Sequence, residues 1–75
     1  MDLRLAGNNI KELRKEKGLT QRQLATLVNL KQANISRWES GKIVPNVLDC
    51  WKLADFFDVT LDYLIGRDYY YKSPL

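Results

Sequence analysis

Few side chains in this sequence could act as catalysts. The 75 residues include no histidine and one cysteine, Cys50. There is also no glycine-rich phosphate loop, so no catalytic constellation can be assembled and no enzyme is expected. The same shortage leaves no metal centre, internal disulfide or cofactor site to propose. Cys50 then reads as a small buried apolar residue. What remains is recognition chemistry, carried by amides, hydroxyls and cations between Gln21 and Lys42. Such groups suit hydrogen bonding and attraction to phosphate.

The formal net charge is a mild +3, but its distribution is uneven. Nine basic residues face four acidic ones from Met1 to Ile43, and three face five from Val44 to Leu75. The excess positive charge therefore coincides with the polar segment, where phosphates would approach. At this length, with 45% hydrophobic residues, a single small core is expected. No apolar run could span a bilayer, and the first residues lack the pattern of a signal peptide, so a cytoplasmic protein is expected.

The elements that must position these groups can be read from apolar spacing and caps. Two short periodic segments, Gln21 to Val28 and Gln32 to Ser40, flank a break at Asn29-Leu30-Lys31. That arrangement predicts a helix-turn-helix, in which one helix braces against a phosphate backbone and its successor lies in the DNA major groove. A first helix should run from Ala6 or Asn8 to Lys17, with Ile10 and Leu13 inward and Gly18 closing it. Thr20 with Gln23 forms a capping box for the second, whose inner stripe is Leu24, Ala25 and Val28; Asn29 suits the left-handed turn. The third buries Ile35 and Trp38 and stops before Gly41, and Pro45 keeps the next loop non-helical. Asn46 caps the fourth, with Asp49 in its first turn and Cys50, Leu53, Ala54 and Phe57 as its core stripe. Thr60 caps the fifth, with Val59 and Leu64 as a hydrophobic staple and Gly66 as its end.

At the termini, Met1, Leu3 and Leu5 alternate with charged residues, and Tyr69-Tyr70-Tyr71 are strong strand formers. A two-stranded pairing of the ends is one reading; a flexible tail, or an aromatic tail docked on a second subunit, are the others. The domain is expected over residues 1–67, followed by an aromatic tail over 68–75.

Thr20-Gln21-Arg22-Gln23-Leu24-Ala25, Ile35-Ser36-Arg37-Trp38-Glu39-Ser40-Gly41, Pro45 and Val59-Thr60-Leu61-Asp62-Tyr63-Leu64 occur in an order and spacing that resembles the phage repressor and Cro family of XRE-type regulators. The resemblance runs from Ile10 to Gly66. It implies an all-α, five-helix, lambda-repressor-like DNA-binding domain that forms a homodimer on a pseudo-palindromic operator in double-stranded DNA and regulates transcription, as a repressor.

The resemblance also implies roles for single residues. Gln21 matches a phosphate-binding glutamine at the start of the second helix, and Arg22, Lys31 and Lys42 would be further phosphate contacts. Gln32, Ala33, Asn34, Ser36 and Arg37 match the base-contacting face of the third helix. Their chemistry agrees: a glutamine can pair with adenine N6 and N7, an alanine can touch a thymine methyl, and an arginine can reach guanine or phosphate. Arg14 and Glu39 match an internal salt bridge, and Val44, Pro45 and Leu61 match a dimer interface. Two positions depart from the family pattern: Asn29 stands where glycine is common, and Lys31 where serine or threonine usually caps the third helix. A rival reading is an antitoxin or other protein-interaction module with secondary DNA binding, its partner held by the aromatic tail.

Overall fold

The computed structural model describes residues 5–65. Five helices follow one another: α1 (Leu5–Glu16), α2 (Gln21–Val28), α3 (Gln32–Glu39), α4 (Val47–Phe57) and α5 (Leu61–Leu64). The described residues contain no strand, and the architecture is all-α. Helix α1 begins at Leu5, one residue before the earliest start read from the sequence. The expected end of the last helix at Gly66, the terminal strand pairing and the aromatic tail lie outside the described residues.

Local chemistry sets the helix starts. The Thr20 hydroxyl accepts the Gln23 N–H at 3.0 Å, and the Gln23 side-chain oxygen accepts the Thr20 N–H at 2.9 Å, completing a reciprocal capping box. Asn46 and Thr60 accept the backbone N–H groups of Asp49 and Tyr63 in the same way. Helix α3 differs, because Lys31 offers its first turn no side-chain cap.

The first four helices share one kind of ending. Gly18, Asn29, Gly41 and Asp58 all have φ between 58° and 80°. Each donates its N–H to the carbonyl three residues back, and the following residue donates to the carbonyl five back, at 2.9–3.3 Å throughout. These are Schellman motifs, which reverse the chain while satisfying carbonyls that the helix end would orphan. Asp58 is the one left-handed position that the sequence reading did not identify. The residues that follow in three of the motifs, Leu19, Leu30 and Val59, pack against the core. In the fourth, that place is taken by exposed Lys42.

Each helix sends one side chain to full burial: Ile10, Leu24, Ile35, Leu53 and Leu64. Around them close Leu13, Ala25, Val28, Trp38, Cys50, Ala54 and Phe57. Trp38 is 3% exposed and belongs to the core, whereas Trp51 is 63% exposed. Helix α1 packs on α3 and α5, α2 on α3 and α4, and α4 on α5. The Asn9 side-chain amide donates to the Tyr63 carbonyl, joining α1 to α5. The Lys17 ammonium lies 5.6 Å from the centre of the Phe56 ring, a cation–π contact between the end of α1 and α4.

A polar node crosses this apolar packing. Arg14 and Glu39 form a two-pronged ion pair, with Nε to Oε2 at 2.6 Å and Nη2 to Oε1 at 3.0 Å. The third arm of the guanidinium, Nη1, donates to the Leu19 carbonyl at 2.7 Å, and the Leu19 N–H donates back to the Arg14 carbonyl at 3.2 Å. Gln21 Nε2 donates to the same Glu39 Oε1 at 3.0 Å. One buried carboxylate therefore ties α3 to both α1 and the start of α2. The hydrogen bond to Glu39 raises the Arg14 pKa further, against an opposing effect of burial and with support from the Glu39 charge. Among the described residues, every buried side-chain nitrogen and oxygen has a partner.

Two outcomes follow for stability. Glu39→Ala takes the carboxylate from a part-buried guanidinium and should cost about 3 kcal/mol, the low end for breaking a buried pair, whereas the paired replacement Arg14→Met/Glu39→Met should cost far less, because removing both charges also removes their desolvation penalty. Urea unfolding of the two variants compares them directly. Cys50 gives the second. Its thiol donates to the Pro45 carbonyl at 3.5 Å, and burial, then the charge of Asp49, pushes its pKa up. The fold thus favours the neutral thiol. Its contribution is full below the unfolded thiol pKa of about 8.5 and is lost as pH rises through the higher folded value. Raising the pH from about 7 to about 10 should therefore destabilise the wild type more than Cys50→Ala, as read from denaturant midpoints at each pH.

Candidate nucleic-acid interface

The outer face of α3 is built by elimination. Ile35 and Trp38 anchor the inner face in the core, and Glu39 is tied down by Arg14 and Gln21. Helical spacing then stacks Gln32 over Ser36 and Ala33 over Arg37 on the opposite side, and all four are exposed. Asn34 is half-buried and sits at the edge of this face, with its backbone N–H donating to the Lys31 carbonyl in the first turn. The face therefore offers a glutamine amide, a methyl group, a hydroxyl and a guanidinium, a set that can read base edges in a major groove.

Cations and polar groups flank it. Lys31 precedes α3 and is exposed, and Arg22 is exposed on the first turn of α2. Lys42 is exposed just beyond α3, held by its own N–H donating to the Arg37 carbonyl at 3.0 Å. The Ser40 hydroxyl donates to that same carbonyl at 2.9 Å, which tightens the end of the helix. Gln21 is half-buried, and its amide is already engaged by Glu39. A cleft of about 290 Å³ lies between α1, α2 and α3, lined by Lys11, Arg14, Gln21, Ser36, Glu39 and Ser40. Gln21 and Ser36 thus share one opening although fifteen positions separate them in the chain.

The residues matched to a dimer interface divide. Val44 and Leu61 are exposed, as an interface between copies would require. Pro45 is buried within the chain, with its carbonyl accepting the Cys50 thiol. The sequence reading missed Val47 and Leu48, which are exposed together with Trp51 on the outer side of α4. Val47, Leu48 and Trp51 recur at helical spacing, and that spacing was the available signal. It was masked by the second apolar stripe on the same helix, Cys50, Leu53, Ala54 and Phe57, which is the one the core uses.

No cluster of three or more His, Cys, Asp or Glu side chains able to hold a metal occurs among the described residues. None of the described helices is long and apolar enough to cross a membrane.

Comparison with known proteins agrees with this geometry. A helix-turn-helix family model matches residues 10–64. The chain is 43% identical over 59 residues to the HTH-type transcriptional activator BcrR of Enterococcus faecalis, covering 79% of this chain and 29% of that protein. It is 34% identical over 62 residues to the HTH-type transcriptional regulator ImmR of Bacillus subtilis, covering 83% and 49%. The chain thus spans half or less of the length of these two relatives. Its fold is similar to the crystal structure of the restriction-modification controller protein C.AhdI from Aeromonas hydrophila, with a TM-score of 0.75 at 33% identity, covering 84% of this chain and 96% of that one. With a helix-turn-helix whose outer face is free and whose inner face is locked, the chain belongs to the XRE-type family of helix-turn-helix, DNA-binding transcriptional regulators.

Proposed function

We propose that this protein binds a pseudo-palindromic operator as a homodimer and represses transcription by occupying a promoter. The observation that carries the reading is the arrangement of α3: Gln32, Ala33, Ser36 and Arg37 project outward while Ile35, Trp38 and Glu39 hold the opposite face rigid. Gln32 leads the base contacts, with Asn34 at the edge. Gln21, Arg22, Lys31 and Lys42 bind the flanking phosphates and set the register of the protein on the duplex.

A single α3 offers too few base contacts for useful specificity. Two copies with recognition helices about 34 Å apart read successive major-groove faces, so dimerisation is required for tight binding. Exposed Val44, Val47, Leu48, Trp51 and Leu61 supply the apolar surface for that contact. The similarity to a transcriptional activator makes activation from an upstream site the competing sign of regulation. The protein acts in the cytoplasm by binding alone, without enzymatic activity or cofactor.

Two measurements test this. With a site selected from a random duplex pool, Gln32→Ala should cost about 1–3 kcal/mol and relax one base position. Lys42→Ala should instead weaken all duplexes alike and lower the salt slope by about one. Equal wild-type affinity for the selected and a scrambled duplex at moderate salt would refute sequence-specific binding. For the dimer, sedimentation of wild type should give twice the chain mass and Trp51→Glu a folded monomer; a dimer unaffected by the charge places the contact elsewhere.

A further inference from the structure

We infer that Glu39 is a positioning residue for DNA binding: its buried carboxylate orients the Gln21 side-chain amide to meet a DNA backbone phosphate. The inference rests on the proposed phosphate role of Gln21 and extends it to a residue that does not itself touch DNA.

The geometry supplies the reason. Gln21 is the first residue of α2, beside the cleft that also opens on Lys11 and Ser36. A glutamine at a helix start ordinarily samples several rotamers, and fixing one on binding carries an entropic cost. Here one N–H of the amide is already donated to Glu39 Oε1 at 3.0 Å. That acceptor is itself held in place, with both carboxylate oxygens bonded to Arg14 and the Glu39 side chain 4% exposed. The second N–H of the same amide has no acceptor among the described residues, and it is the group available to a phosphate oxygen. Glu39 lines the same cleft, and the Arg14 guanidinium offsets its charge there. Glu39 also belongs to α3, so the phosphate-binding amide on α2 is referenced to the recognition helix itself. A shift of α3 would move the amide with it, which couples backbone register to base reading.

A double-mutant cycle tests this, with fluorescence titration of a selected duplex at fixed salt. Gln21→Ala should weaken binding about tenfold, the scale of one hydrogen bond to a charged group. Arg14→Met/Glu39→Met, which removes the acceptor together with its counterion, should weaken binding by a similar factor. Gln21→Ala in that background should then add less than about twofold. Rescue gives a second readout: Glu39→Gln retains an acceptor oxygen and should bind more tightly than the Met pair despite its lower stability. Full additivity of the two changes, or wild-type affinity in the folded Met pair, would overturn the positioning role. If the Met pair does not fold, the Gln21 side-chain amide resonances of the wild type decide. One proton should keep its hydrogen-bonded shift with and without duplex while its geminal partner moves on binding; two protons at the shifts of a solvent-exposed glutamine amide in the free protein would overturn the inference. Failure of the wild type to prefer its selected duplex would count against the DNA reading instead, which keeps the two outcomes apart.

Discussion

A carboxylate buried among helices is tolerated only when its oxygens are hydrogen-bonded and its charge is paired, and the Glu39 side chain meets that condition through Arg14 and Gln21. The constraint reaches further than the pair. The guanidinium that satisfies Glu39 also donates to the Leu19 carbonyl, within the reversal joining α1 to α2. The amide that completes the set stands at the first residue of α2. Three helices and one turn must therefore occupy fixed positions at once. Apolar contacts at Ile10, Leu24 and Ile35 supply most of the attraction between the same elements, but they are non-directional and would accept neighbouring registers. The ionic node is directional and adds a geometric requirement to them.

Helix termination is the second organising feature. In a chain this short, connections consume a large share of the residues, and each must turn sharply without stranding backbone carbonyls. Four successive Schellman motifs accomplish this with two glycines, an asparagine and an aspartate in the left-handed conformation. Three of the motifs also serve the core, because the residue after the reversal is Leu19, Leu30 or Val59. At the end of α3 that residue is Lys42, which faces solvent. The departure occurs beside the recognition helix, where an apolar seal would be replaced to advantage by a cation. The start of α3 shows the same exchange, with Lys31 in the capping position giving up a side-chain hydrogen bond. Both ends of this helix sacrifice local stability for positive charge, and burial of Ile35 and Trp38 offsets the loss.

Most of the helical order was legible in the residues alone. Thr20 with Gln23, Asn46 and Thr60 announce helix starts through side-chain chemistry acting over three residues, and Gly18, Asn29 and Gly41 announce helix ends. Asp58 was harder to identify, because aspartate enters the left-handed region far less readily than glycine and carries no comparable signal. Burial of Trp38 followed from its spacing to Ile35. The state of Trp51 did not, because α4 carries apolar residues on two faces and period alone cannot say which face the core takes.

The sequence by itself determined most of the helix boundaries, that α2 and α3 form a helix-turn-helix, and which side chains fill the core, since these depend on capping and periodicity within a few residues. Tertiary structure alone decided the rest. It withdrew Pro45 from the surface, left Val47, Leu48 and Trp51 uncovered, and turned Gln21 from a free surface amide into a partner of Glu39. Those outcomes depend on distances between elements far apart in the chain. No local propensity encodes them, because the partner that satisfies or covers a group arrives only when the helices pack.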